Sequence, residues 1–282
     1  MKFDVHQRVD EPNSTAIDIL TGSTDLSKSR LKLAMNKGAV WLTRSGKTQR
    51  LRRVNKALKS GDEIHLYYDE AVLSKEPDEA ILIADEGQYS VWFKPYGMLS
   101  QGSKWGDHCA INRWVEKTLK PQRPAFVVHR LDRAASGLMI IAHAKQSAAY
   151  FSQLFQTRDV EKRYQAIVRG HFPEYQVFDS DIEGRAAKTH ARCVNYQPET
   201  DCSLLDVSIE TGRKHQIRRH LSEAGHPIVG DRMYGLNDTN NSQDLCLMAY
   251  SLSFISPISK ENVLYKLSEE RMSTFKSRMS DK

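Results

Sequence analysis

His129-Arg130-Leu131-Asp132-Arg133-Ala134-Ala135-Ser136-Gly137 sets one carboxylate between two arginines, directly after the apolar run Phe126-Val127-Val128 and directly before Leu138-Met139-Ile140-Ile141. Both flanks read as short buried strands, which puts Asp132 at a strand end or in the turn between them. A carboxylate drawn that close to the core needs a cationic partner, because burial otherwise raises its pKa until it neutralises. An isolated Asp between arginines is most often a structural ion pair in a turn. The string therefore has to be weighed with the rest of the chain.

The chain has 282 residues, enough for a sizeable core and for one large domain plus a small one. Its 41 Lys+Arg against 35 Asp+Glu leave a net charge of +6, with a pI near 9.0. That excess fits a polyanionic partner without specifying one. No apolar run approaches the roughly 18–20 residues of a membrane span, and Met1-Lys2-Phe3-Asp4-Val5 starts no secretory signal. Cys109, Cys193, Cys202 and Cys246 are scattered with no Cys-x-x-Cys pair, the pattern of reduced thiols and not of a zinc site. A soluble cytoplasmic protein is expected, with a monomer as the default and no membrane partner.

Charge is concentrated near the N-terminus. Between Lys28 and Lys59 stand eleven Lys/Arg and no Asp or Glu. Leu31, Leu33, Val40, Trp41, Leu42, Val54 and Leu58 interleave with them, which argues against a disordered tail. A helix is expected from about Ser27 to Lys37, stopped by Gly38. Val40-Trp41-Leu42 reads as a strand, Arg44–Lys59 as a long basic loop carrying Arg50, Arg52 and Arg53, and Gly61–Tyr67 as a turn into a second strand. Asp69–Ala80 reads as a linker. The expected domains are 1–75 and 76–282.

In the second domain, Ile81-Leu82-Ile83 and Tyr89–Phe93 are strand candidates, and a helix is expected over His108–Leu119. Lys145–Thr157 places Ala148, Ala149, Phe151, Leu154 and Phe155 at helical spacing. Tyr164–Arg169, Ala187–Tyr196, Ser203–Ile209 and Leu245–Ile255 read as strands, and Arg213–Glu223 as a helix. Strands and helices do not alternate one for one. The pattern predicts an α+β fold with a mixed or antiparallel sheet flanked by helices, plus a small N-terminal α/β module. There is no Gly-rich nucleotide loop, so no nucleotide cofactor is expected.

The Asp132 string resembles the signature of the RluA family of RNA pseudouridine synthases, His-Arg-Leu-Asp-x-x-Thr-Ser-Gly, with Ala135 standing where the family usually has Thr. Phe93-Lys94-Pro95-Tyr96-Gly97-Met98 is similar to the family's Lys-Pro-x-Gly motif, and Glu161–Gly170 to its Lys-x-Tyr-x-Ala-x-Val-x-Gly strand. Thr211–His220 matches Thr-Gly-Arg-x-His-Gln-Ile-Arg-x-His, and Gly225-His226-Pro227-Ile228-Val229-Gly230-Asp231 follows at the usual distance. The N-terminal helix, glycine, strand, basic loop and Gly-Asp-x-Ile strand resemble the small RNA-binding alpha-L module first seen in a small-subunit ribosomal protein. The resemblance implies a pseudouridine synthase fold and isomerisation of uridine in structured RNA, ribosomal RNA favoured and transfer RNA possible. It makes Asp132 catalytic, Arg218 its partner, and Tyr164 a ring stacked on the target base and placed for proton transfer. Arg130 and Arg133 are alternative partners for Asp132 from the motif itself. Arg130, Arg133, Lys94, Arg213, Lys214, Arg219, Arg50, Arg52 and Arg53 are candidate RNA contacts.

The chemistry breaks the C1′–N1 bond, rotates the uracil and joins C5 to C1′. No redox step or external energy source is involved, so no cofactor is expected. One carboxylate serves either as nucleophile or as the acid/base that removes the C2′ proton. The target base must leave its stack, and a stacking ring offsets the loss, about 1–3 kcal/mol per base. A metal site at His215, His220 and His226 is disfavoured: five-residue spacing turns the first two about 140° apart on a helix. Ser136 lacks the Gly-x-Ser-x-Gly elbow of a serine hydrolase. The alternative is a non-catalytic RNA-binding or ribosome-assembly protein on the same fold. Binding alone gives no reason for Asp132 to face an anionic ligand.

Overall fold

The computed structural model describes residues 1–76, 78–235 and 243–280. The chain divides into two compact units, Met1–Pro77 with Gln101–Lys117, and Asp78–Ser100 with Thr118–Lys282. The first unit takes in Gln101–Lys117, which lies inside the expected 76–282 domain.

The N-terminal unit holds β1 (Lys2–Arg8), α1 (Ala16–Ser23), α2 (Lys28–Asn36), β2 (Val40–Arg44), β3 (Lys47–Arg50), β4 (Glu63–Asp69), α3 (Glu70–Leu73) and α4 (Ile111–Thr118). Ser27 caps α2 by accepting from the Arg30 N–H, and Gly38 closes it at φ +83°, a left-handed position suited to glycine. Leu31, Ala34 and Met35 turn inward onto Leu20, Val40, Leu42, Ile64 and Leu66, which form the core of this unit. The sheet is antiparallel in the order β1-β4-β2-β3.

Three expectations change here. The basic loop folds back at Ser45-Gly46, both at positive φ, into a tight hairpin that adds β3. Part of the linker is ordered: Asp69 caps α3, and Lys37 donates to the carbonyls of Leu73 and Lys75 and pairs with Glu76. The helix expected from His108 begins at Ile111.

The second unit is one ten-stranded sheet flanked by helices. Its strands are β5 (Ile81–Asp85), β6 (Tyr89–Lys94), β7 (Phe126–Val127), β8 (Ser136–Ala142), β9 (Glu161–Arg169), β10 (Tyr175–Phe178), β11 (Thr189–Gln197), β12 (Cys202–Ile209), β13 (Leu247–Ile255) and β14 (Asn262–Lys266); its helices are α5 (Lys145–Thr157), α6 (Gln216–Glu223) and α7 (Glu269–Ser277). The path runs β10-β11-β12-β9-β13-β8-β6-β5, with β14 on β13 and β7 on β8. Every pairing is antiparallel except β13 with β8. The fold is α+β with a mixed sheet, as the sequence pattern indicates.

The central strands carry the core: Leu138–Ala142 of β8 and Ala166–Val168 of β9 are fully buried. At the parallel junction Gly137 lies opposite Ala249, where a Cβ would stand 2.3 Å from the Ala249 carbonyl oxygen. Only glycine fits. This explains the last residue of the Asp132 string.

Candidate active site

Asp132 sits in the turn between β7 and β8, where the flanking apolar runs place it. The turn is held from both sides. Ser100 Oγ donates to the Leu131 carbonyl (2.6 Å) and accepts from the Leu131 N–H (3.0 Å). On the other side the Gly97 N–H donates to the Arg133 carbonyl at 2.8 Å. Lys94, fully buried, donates to the carbonyls of Pro95 (3.0 Å), Met98 (2.9 Å) and Arg133 (3.5 Å). Burial pushes the Lys94 amine down to about 7, against the pull of the Asp132 charge. His129 is structural too: its ring stacks on Phe155 and Nε2 accepts from the Ile140 N–H. Burial drives its pKa down to about 3, so it is neutral.

Arg218 comes from α6. Its turn into the helix is fixed by buried Gln216, whose Oε1 accepts from Thr211 Oγ1 and the Arg213 N–H, while Nε2 donates to the Lys188 carbonyl. The guanidinium serves two acids. Nε and Nη2 donate to Asp231 at 2.7 Å each, and Nη1 donates to Asp132 Oδ2 at 3.2 Å. Burial opposes the Arg218 charge, but the two carboxylates outweigh it and raise its pKa. Burial also raises Asp231, yet Arg218 and the N–H groups of Met233 and Tyr234 reverse this and leave it below the usual carboxylate range. The Asp231 side chain is 1% exposed and that of Asp132 24%, so one acid anchors the arginine and the other faces the opening.

Tyr164, on β9, lines the same cleft, about 90 Å³ and open to solvent, together with Asp132, Arg218, His215, Arg130 and Arg213. Burial first, and the Asp132 charge second, raise the Tyr164 phenol well above its ordinary pKa. His215 enters α6 at φ +56°, with Nδ1 2.9 Å from Tyr234 Oη and Nε2 3.7 Å from Asp132 Oδ1. Tyr234 lies under the Arg218 guanidinium at 5.1 Å.

The structure thus brings Asp132, Tyr164 and Arg218 into one cleft, with Arg130 and Arg213 on its wall. Arg133 and Lys214 are exposed nearby in sequence. Arg219 pairs with Glu183. Lys94 is a correction: its ammonium is enclosed by backbone carbonyls and is not available to a phosphate. Arg50 and Arg52 are a second correction. Both pair with buried Asp107 in the N-terminal unit, Arg50 also donates to the Gly38 and Ser103 carbonyls, and it lies over the Trp41 ring. They are framework residues, whereas Arg53 is exposed.

Asp231, Tyr234 and the Asp132-facing position of His215 were missed. The signal available was Asp231 at the end of the Gly-His-Pro-Ile-Val-Gly-Asp segment. His220 and His226 go to separate partners, Thr189 and Ser180 for the first and the Arg169 carbonyl for the second.

Residues 88–223 match the family model of RNA pseudouridylate synthases. A tRNA pseudouridine synthase C of Pasteurella multocida is 32% identical over 204 residues, 60% of this chain and 83% of that one. The chain belongs to the RluA-type RNA pseudouridine synthases. An uncharacterised RNA pseudouridine synthase of Aquifex aeolicus is 29% identical, across 90% of this chain and 88% of its own. The solved structure of human RNA pseudouridylate synthase domain containing 1 shares the fold, with TM-score 0.60 at 21% identity over 71% of this chain and 89% of that one. As an RluA-type synthase the protein is an isomerase that converts uridine in RNA to pseudouridine.

Proposed function

We propose that Asp132 performs the isomerisation on a uridine flipped out of structured RNA, with ribosomal RNA the first substrate class. Transfer RNA, the class in the name of the Pasteurella multocida relative, is the second. The observation that carries the reading is the Asp132–Arg218–Asp231 arrangement. A carboxylate that attacks C1′, or takes the C2′ proton, must be ionised, and Arg218 is held against it by a second, buried acid.

Tyr164 stacks on the base, and its phenol, kept protonated by burial, serves as a donor and not as a base. Arg130 and Arg213, on the cleft wall, hold the flanking phosphates. The N-terminal unit is an alpha-L-type RNA-binding module whose exposed cations, Lys28, Lys32 and Arg53 among them, contact the backbone of the RNA. A cytoplasmic location fits this substrate, and among the described residues no helix is long and apolar enough to cross a membrane.

Tritium release from RNA carrying 5-tritiated uridine tests the reading. Asp132→Asn, which keeps the shape and loses the ionised oxygen, should release none while binding RNA nearly as well as wild type. Full turnover in that variant would remove Asp132 from the chemistry. Carbodiimide mapping of total RNA from a deletion strain would then name the uridine, and a lost mark confined to transfer RNA would reverse the substrate order.

A further inference from the structure

We infer that His215 is a second catalytic residue, the base that takes the proton from uracil C5 after C5 has joined the sugar. The inference rests on the assignment of Asp132 to the chemistry at the sugar. Once C5 bonds to C1′, it still carries its hydrogen, while N1 has lost its bond to the sugar. Completion moves one proton. The C5–H electron pair returns to the ring, the base takes the proton, and its conjugate acid gives a proton to N1. Nothing else is consumed.

The base must stand beside Asp132, because the new bond forms at the sugar carbons that this carboxylate addresses. The Asp132 charge acts on Lys94, Tyr164, Arg218 and His215. Arg218 is a permanent cation with no lone pair to offer. Lys94 faces three backbone carbonyls. Tyr164 is held protonated. His215 remains, and its geometry suits the task. At 3.7 Å, Nε2 is too far from Asp132 Oδ1 for a hydrogen bond, while Nδ1 is engaged at 2.9 Å by Tyr234 Oη. A tautomer that donates from Nδ1 to Tyr234 leaves the Nε2 lone pair open on the wall of the cleft.

The groups facing the imidazole are Asp132, Arg218, Lys214, Asp231 and Tyr234. Burial, with the charges of Arg218 and Lys214, outweighs the two acids and keeps its pKa below the usual histidine value. The ring is therefore neutral near pH 7, as a base has to be. Protonation disables it, so activity falls as pH drops through that lowered pKa.

The test compares wild type and His215→Asn on RNA carrying 5-deuterouridine, with RNA affinity and a thermal melt as controls. Asn tolerates the left-handed backbone that His215 adopts. The variant should be slowed by about 10²-fold or more, bind RNA within a few-fold of wild type, lose the acid limb of its pH–rate profile, and gain a deuterium isotope effect absent from wild type. A wild-type rate, or slowing with no new isotope effect, overturns the inference, the latter pointing to Asp132 as its own base.

Tyr234→Phe supplies a second readout should His215→Asn fail to fold. It removes the Nδ1 partner and should shift the acid limb, and an unmoved limb counts against His215. An active Asp132→Asn would overturn the underlying assignment as well. An inert Asp132→Asn beside a His215→Asn enzyme without an isotope effect would remove His215 alone.

Discussion

Arg218 is one cation between two acids, and the two contacts have different jobs. Two hydrogen bonds to Asp231 fix the plane of the guanidinium, and the single bond to Asp132 delivers charge to the cleft. Arg218→Ala leaves Asp231 buried without its partner, which should cost about 3–5 kcal/mol of stability as well as activity. Asp231→Asn keeps the arginine but loosens it. It should melt less far below wild type than Arg218→Ala and still lose most of its rate, as thermal melts and tritium release would show. An Asp231→Asn enzyme at full rate would mean that Arg218 needs no anchor.

Tyr164→Phe keeps the ring and removes the donor. RNA affinity should hold while the rate falls, and equal rates would leave stacking as its one role. Asp132, Tyr164 and Arg218 were legible because family motifs mark them one by one. Asp231 was less so, since nothing local in the sequence says that it meets a residue 13 positions earlier. Lys94, Arg50 and Arg52 were misjudged for a related reason: a cation in a sequence looks solvated, and only the fold reveals carbonyls or a buried Asp107 around it.

Elements with strong periodicity or clear stops were legible. The helix read over Lys145–Thr157 is α5, and Gly38 ends α2. β1, β10, β14, α1 and α7 were not read; the half-exposed mixed patterns of the three strands, such as Lys2–Arg8, carry little apolar contrast. The start of α6 slipped from Arg213 to Gln216, since the left-handed His215 breaks the helical path in a way composition does not announce. At this scale the loop after β6 matters most. Lys94→Met removes the donor shared by Pro95, Met98 and Arg133 and should slow catalysis by loosening the Asp132 turn. Because that ammonium touches no solvent, the salt dependence of RNA binding should stay at the wild-type slope. A flattened slope would return Lys94 to the list of phosphate contacts.

Across the whole molecule the net charge of +6 divides into cations that build and cations that are free. Changing the exposed Lys28, Lys32 and Arg53 together to Ala should flatten the log–log salt slope of RNA binding by about two units, at roughly 0.7–0.9 per lost phosphate contact. The melting temperature should barely move. Changing Arg50 and Arg52 should do the reverse: a large loss of stability, about 3 kcal/mol or more, because Asp107 is left buried and unpaired. Filter binding across a salt series, beside thermal melts, separates the two groups.

Asp231 adds a pH term to stability. Its folded pKa lies below the usual carboxylate value, so its contribution is complete above about pH 4 and is lost as pH falls further. Asp231→Asn should flatten that acid decline, which melts between pH 5 and pH 2.5 would register.

The turn that carries Asp132 is fastened on both sides before any substrate arrives, by Ser100 at Leu131 and by Gly97 and Lys94 at Arg133. An enzyme with so little left to rearrange there leaves the work of capture to the nucleic acid. Substrates should then rank by how readily the target nucleotide escapes its own helix, and mismatches or bulges beside it should speed the reaction more than any loosening of the protein. The temperature dependence of the rate would follow the melting enthalpy of the RNA.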